Sequence, residues 1–174
     1  MNKVSSIIKS IEGCSLHPIF RASNMLTLSF GDTIEISDRR GTKKLGVYGL
    51  HIQCFWRIKK EGLVFISHRD FYLPNSKISE EEFENLDWDT KGLNRFDELA
   101  LDFNSLKLNV LSIEINITGD LLLIFSNNFS LEVMINTSYK DIEFWRFIER
   151  TSNNESKHLV FTGIGFKYSP EEWI

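Results

Sequence analysis

The chain has 174 residues, 42% of them hydrophobic and 13% aromatic, and a formal net charge of -4. That length fits one domain, 1–174, or one domain built from two related halves, and the apolar content is ample for a core burying roughly 70% of the surface exposed by the unfolded chain. The acidic balance, with basic residues confined to short clusters, argues against a nucleic-acid partner, and no stretch approaches the roughly 20 apolar residues of a membrane-spanning helix.

Fourteen Phe against two Ala, Ala22 and Ala100, favour sheet over helical bundle. Val4, Ile7, Ile8 and Ile11 recur at helical spacing before Gly13, which predicts a short amphipathic helix. Nothing in this N-terminal stretch reads as a secretory leader. Leu26, Leu28 and Phe30 then alternate with polar residues. Gly31-Asp32 is expected to turn the chain and Ile34 and Ile36 to return it, with a polar loop over 38–46. From Tyr48 to Ile58 every second residue is apolar, a period of two that no helix can use. A strand over Leu63–Tyr72 runs back from a turn at Lys59-Lys60-Glu61-Gly62 and closes at Pro74.

The middle is acidic and helical. Ser79 with Glu82 has the spacing of a capping box. Leu93, Phe96, Leu99, Ala100 and Phe103 form one stripe of a second helix over about 90–103. Leu111–Ile117, Leu121–Phe125 and Phe129–Ile135 follow as a three-strand meander, turning at Gly119-Asp120 and Asn127-Asn128. Ile142, Trp145 and Ile148 are three apart, which predicts a helical turn. Leu159–Tyr168 reads as one last strand, broken by a bulge near Gly163 and Gly165. The resulting expectation is an α+β fold, mostly antiparallel sheet, with two or three short helices packed on it. Two β-rich sections, about 25–74 and about 106–168, flank the acidic helical section, about 76–104.

Phe-Trp-Arg occurs twice, at 55–57 and 144–146. Each copy follows a hairpin pattern, Leu26–Phe30 with Ile34-Glu35-Ile36 and Leu121–Phe125 with Leu131-Glu132-Val133. The spacings differ, so common hairpin patterning is preferred here over duplication.

No nucleophile, phosphate loop, dinucleotide fingerprint or metal-ligand spacing is present, so no catalytic residue, metal or cofactor is expected. Cys14 and Cys54 have no C-x-x-C spacing, which suits buried thiols in a reducing, cytoplasmic setting. Two groups of residues remain candidates for binding. His51, Gln53 and Arg57 share one face of their strand and His68 with Asp70 one side of the next, so a hairpin could join them in a polar pocket. An ordinary outward sheet face is the competing account, since a slip of one residue reverses every side chain. Glu80, Glu81, Glu84, Asp87, Trp88 and Asp89, together with Trp145, are candidates for a partner surface, acids steering a basic partner and Trp anchoring it. A solvated helix face is the competing account for the acids, and core packing for Trp145. Trp88 and Trp173 are the better candidates for exposed aromatics.

The stretches His51-Ile52-Gln53-Cys54-Phe55-Trp56-Arg57, Asp70-Phe71-Tyr72-Leu73-Pro74, Trp145-Arg146-Phe147 and His158-Leu159-Val160-Phe161-Thr162-Gly163 resemble a family of small uncharacterised bacterial proteins. Small acidic proteins of that kind are similar to immunity proteins encoded beside polymorphic or contact-dependent toxins. The resemblance implies a non-enzymatic protein-binding domain that neutralises a basic toxin, with no residue roles carried over. A small-molecule binder or enzyme built on the face around His51, Arg57 and His68 is the alternative. A homodimer through a sheet edge or Trp face stays open.

Overall fold

The computed structural model describes residues 2–38, 41–151 and 155–169. Within these residues the chain forms two antiparallel sheets and three short α-helices, an α+β architecture that is mostly β. The first half runs α1 (Asn2–Ile8), β1 (Phe20–Ala22), β2 (Met25–Asp38), β3 (Gly41–Ile52), β4 (Phe55–Lys60) and β5 (Leu63–Ser67). Helices α2 (Glu80–Glu84) and α3 (Arg95–Asn104) follow. Then come β6 (Val110–Ile115), β7 (Leu121–Phe125), β8 (Phe129–Met134), β9 (Glu143–Arg150), β10 (Ser156–Thr162) and β11 (Gly165–Ser169). The six-stranded sheet has the order β1-β2-β3-β9-β10-β11, the five-stranded sheet β5-β4-β8-β7-β6.

Inward residues of both sheets join one apolar cluster, so the sheets pack face to face. Leu28, Leu50 and Phe147 come from one sheet and Ile58, Leu123 and Leu131 from the other. Val4, Ile8 and Ile11 complete the cluster beside β6. Helix α3 starts at Arg95 rather than near 90, so Leu93 precedes it; of the expected stripe it buries Phe96, Ala100 and Phe103 and half-buries Leu99, and its N-cap is Asn94, which accepts from the Asp97 N–H at 2.9 Å. The capping box of α2 is also formed.

Several local expectations are corrected. Gly31-Asp32 does not turn the chain. Gly31, at φ +81°, opens a bulge within β2, and the strand continues to Asp38 against an arm of β3 that occupies the expected loop. The alternation in burial holds from Leu50 to Ile58, with Tyr48 partly buried and Gly49 buried, but the strand is two strands. At Gln53-Cys54 the chain leaves one sheet for the other, and both N–H groups donate to the Phe144 carbonyl at 2.8 and 3.2 Å. The strand from Leu63 ends at Ser67, where His68–Tyr72 winds into a 3-10 turn capped by Ser67 and Asp70. Lys59 and Lys60 lie in β4, and Glu61-Gly62 alone makes the turn, both at positive φ. The second Phe-Trp-Arg is strand, not helix: Phe144 and Trp145 are buried together near a register shift in β9·β10. The final stretch is a hairpin, β10–β11, turned by Gly163-Ile164.

The two sheets share one plan. The order β1-β2-β3-β9-β10 corresponds, position by position, to β6-β7-β8-β4-β5. Each β-rich section lays a meander in one sheet and then crosses to the other. Each Phe-Trp-Arg stands at the start of the first strand after its crossing. The register agrees to the residue: Trp56 faces Val133 as Trp145 faces Ile52, and Ile58 faces Leu131 as Phe147 faces Leu50. Leu26 and Leu28 face Ile52 and Leu50 as Leu121 and Leu123 face Val133 and Leu131. This correspondence makes internal duplication the better account of the repeat, with loops of unequal length explaining the spacing. The supposed match of Glu35 with Glu132 fails. Glu35 lies in the outer arm of β2, and the place of Glu132 in the other sheet is held by His51.

Candidate functional site

The five residues expected to share a pocket are divided between the sheets. His51 projects from β3 on the outer face of the six-stranded sheet, paired with Thr27 and Arg146. Gln53, exposed at the crossing, donates to Glu143 at 3.1 Å. Arg57 belongs to the five-stranded sheet and donates to Glu132 at 2.5 Å, where Lys59 also pairs. His68 sits among the rings of Phe55, Trp56, Phe71 and Tyr72, and burial lowers its pKa. Asp70 accepts from the Ser67 N–H at 2.7 Å and lies 3.5 Å from Arg95. His51 and Gln53 therefore share one neighbourhood, while Arg57, His68 and Asp70 serve the other sheet and the turn after it.

The acidic candidates divide by role. Arg21 of β1, its side chain only 3% exposed, pairs with Asp89 at 2.6 Å and Asp97 at 3.2 Å. It also donates to the carbonyls of Trp88, Asp89 and Thr90 and lies 5.9 Å from the Trp88 ring centre. Trp88 is half-buried against Tyr72, with ring centres 5.0 Å apart. Trp88 and Asp89 thus hold the α2–α3 segment onto the sheet. Asp87 is exposed and accepts from the Asp89 N–H at 3.0 Å. Glu80, Glu81 and Glu84 are exposed, and their carboxylates meet no partner among the described residues. Trp145 is 0% exposed and donates from Nε1 to the Gly119 carbonyl at 2.8 Å, so its side chain is core and offers no partner surface. Trp173 lies outside the described residues.

Sequence reasoning missed a second basic neighbourhood. On the outer face of the six-stranded sheet, Thr27, Ser29, Gly49, His51, Arg146, Ile148, Arg150, Ser156 and His158 occupy like-facing positions. Arg146 pairs with Glu143 at 2.5 Å and reaches His158 Nδ1 at 3.2 Å, and His158 Nε2 meets Ser156 at 2.6 Å. Arg150 lies flat over Gly49, where an added Cβ would stand 2.5 Å from its guanidinium, and donates to the Gly46 carbonyl at 2.9 Å. A cavity of about 380 Å3 opens here, with His17, Phe20, Thr27, Lys44, His51 and Arg150 among its walls. The signal for Arg150 was its even spacing from Arg146, visible only once 143–150 is read as strand.

The charges have a measurable consequence. The pKa of His51 falls to about 4, chiefly through burial, then through Arg150 and Arg146, with Glu143 acting the other way and His158 adding to the fall. His158 is lowered by burial and the same arginines. Above the ordinary histidine value of 6.5 the neutral form is present folded and unfolded, and stability is full. As pH falls from there toward about 4, the unfolded chain takes up a proton that folded His51 refuses, and stability is lost. Between pH 7 and pH 5 His51 should cost about 2 kcal/mol of unfolding free energy. His68 and His158 add to it in the same direction. Urea unfolding at both pH values, with and without His51→Gln, measures this; an equal pH slope in the variant would refute the assignment.

Reactive thiol chemistry has no setting here. Burial raises Cys54 to about 12, and burial with Asp32 nearby raises Cys14. Among the described residues no three His, Cys, Asp or Glu side chains gather as a metal site, and no helix is long and apolar enough to cross a membrane. No protein-family model, no curated protein and no solved structure matches the chain.

Proposed function

We propose that the chain is a non-enzymatic binding protein that uses the acidic α2 segment to hold a basic protein partner, most concretely as an immunity protein neutralising a toxin domain. The observation that carries this reading is the division among its acids. Glu82 caps its own helix, Glu98 holds Ser76, and Asp89 and Asp97 hold Arg21. Glu80, Glu81 and Glu84 serve no such purpose, yet they stand together on a segment fixed to the sheet by a buried arginine. Leu86 is exposed beside them. Fixed exposed charge steers an oppositely charged partner, while a nearby apolar group slows its escape.

The test is a toxin domain encoded immediately upstream, purified and bound to this protein. Replacing Glu80, Glu81 and Glu84 together with Lys should lower the association rate at low salt by about tenfold or more, with little change in thermal stability. A rate that ignores both the substitutions and added salt would exclude the acidic surface. The absence of a toxin gene from every such neighbourhood would exclude the immunity reading.

A further inference from the structure

We propose that the cleft over the outer face of the six-stranded sheet binds a small organic oxyanion, a phosphate ester or carboxylate with an apolar body, with Arg150 as the anion-holding group. The site is separate from the α2 acids and does not depend on a protein partner.

The first argument is unbalanced charge. In the five-stranded sheet Arg57 and Lys59 share Glu132. In the six-stranded sheet His51 holds the place equivalent to Glu132. Arg146 compensates with Glu143, but Arg150 has no carboxylate among the described residues and donates only to a backbone carbonyl. Burial lowers its pKa, the mark of a guanidinium partly removed from water without an anion beside it. A planar fork with unused donors matches a carboxylate or phosphate edge.

The second argument is space. The cavity of about 380 Å3 falls within the range of small-molecule sites. Gly49 admits the flattened guanidinium, since any side chain there would collide with it. Pro18, Phe20 and Leu45 supply apolar wall, and Thr27, Ser29 and Thr33 add hydroxyl groups. Lys44 stands at the rim, 3.8 Å from Glu35, mostly exposed and able to turn toward an anion.

The third argument is the polar lining beside Arg150. His51 is neutral at pH 7, so one ring nitrogen can donate and the other accept without adding charge. His17 meets the Gly31 carbonyl through Nε2 at 2.7 Å, which fixes its ring at the cleft wall. The cleft thus combines the Arg150 guanidinium and the rim Lys44 with neutral His51 and hydroxyl groups, an arrangement suited to orienting one anionic group on an apolar molecule.

Phenyl phosphate and phenylacetate are the probes, titrated into the whole protein by calorimetry and by NMR of the Arg150 Nε–H and His51 ring signals. At least one should bind at millimolar concentration or below and shift both sets of signals with the same saturation. Tight phenyl phosphate would mark the natural ligand as a phosphate ester, tight phenylacetate as a carboxylate. Arg150→Gln should weaken binding by about tenfold or more, and Arg150→Lys by less. Because Arg150 also bonds the Gly46 carbonyl, Lys44→Gln at the exposed rim serves as the second variant, with an expected loss of about threefold. Failure of both probes to bind, or binding that leaves the Arg150 and His51 signals unmoved, would overturn the proposal. Equal affinity for inorganic phosphate and phenyl phosphate would overturn the apolar body.

Discussion

Gly119→Ala should destabilise the protein by about 3 kcal/mol or more, far beyond an ordinary surface substitution. Two costs combine. Gly119 has φ +89°, a left-handed conformation that costs an L-residue about 1–2 kcal/mol. The added Cβ would also enter the ring of Phe161. That ring cannot easily retreat. It is stacked on Trp145 with centres 5.5 Å apart and lies 4.8 Å from the Phe166 ring centre. Forcing extra volume into such packing costs about 1–3 kcal/mol. Gly13→Ala is the matched control, with φ +83° and nothing within 4 Å of an added Cβ. It should show the conformational cost alone, about 1 kcal/mol. Equal losses in urea unfolding for the two variants would mean the Phe161 contact is not tight.

The paired tryptophans provide the second large effect. Truncating either Trp56 or Trp145 to Ala removes a fully buried side chain and should cost about 3–5 kcal/mol. The informative comparison is with Phe, because Trp→Phe removes similar volume at two equivalent positions. Trp145 Nε1 donates to the Gly119 carbonyl at 2.8 Å. Trp56 Nε1 is buried with no hydrogen-bond partner among the described residues, enclosed by Phe71 and Phe96 at ring-centre distances of 5.4 and 6.0 Å. Trp145→Phe therefore loses a bond and leaves a carbonyl unpaired, while Trp56→Phe removes a polar group that had none. Trp145→Phe should be the costlier by about 1–3 kcal/mol. A Trp56→Phe variant that loses as much as Trp145→Phe would show that the two indoles are equally satisfied.

These two tests bear on how the halves diverged. The same triplet in the same topological place has kept its Trp in the core on both sides. Its Arg has not kept one role. Arg57 faces Glu132 and pairs with it, whereas Arg146 faces His51 and pairs with Glu143 instead. The residue facing the arginine is an acid in one sheet and a histidine in the other, so the two outer faces differ in charge at that place.

Elements governed by local rules were legible in the sequence. The α3 stripe, the α2 capping box and the Asn127-Asn128 turn, with φ 58° and 61°, each depend on contacts within a few residues. So did the inward set from Tyr48 to Ile58, because a face meets the core whichever sheet carries it. That indifference is why the crossing at Gln53-Cys54 was invisible: the alternation runs through it unchanged. The same limit hid the pocket's failure to assemble, since His51 and Arg57 share a face of the pattern yet lie in different sheets. Gly31 was misread because a bulge and a turn ask for the same positive φ. The choice between them belongs to the strand alongside.

By itself the sequence determined the class of fold, the inward and outward residues of most elements, and the acidic middle, all matters of period, capping and composition. Tertiary structure alone decided which sheet each strand joined, that the two halves follow one plan, and that Trp88 and Asp89 are held by a buried arginine. It also decided that Arg150, His51, His17 and Lys44 meet around one cavity. Lys44 and His51 share β3, but His17 and Arg150 come from distant segments of the chain, and their meeting depends on long-range strand pairing and register, which no local pattern encodes.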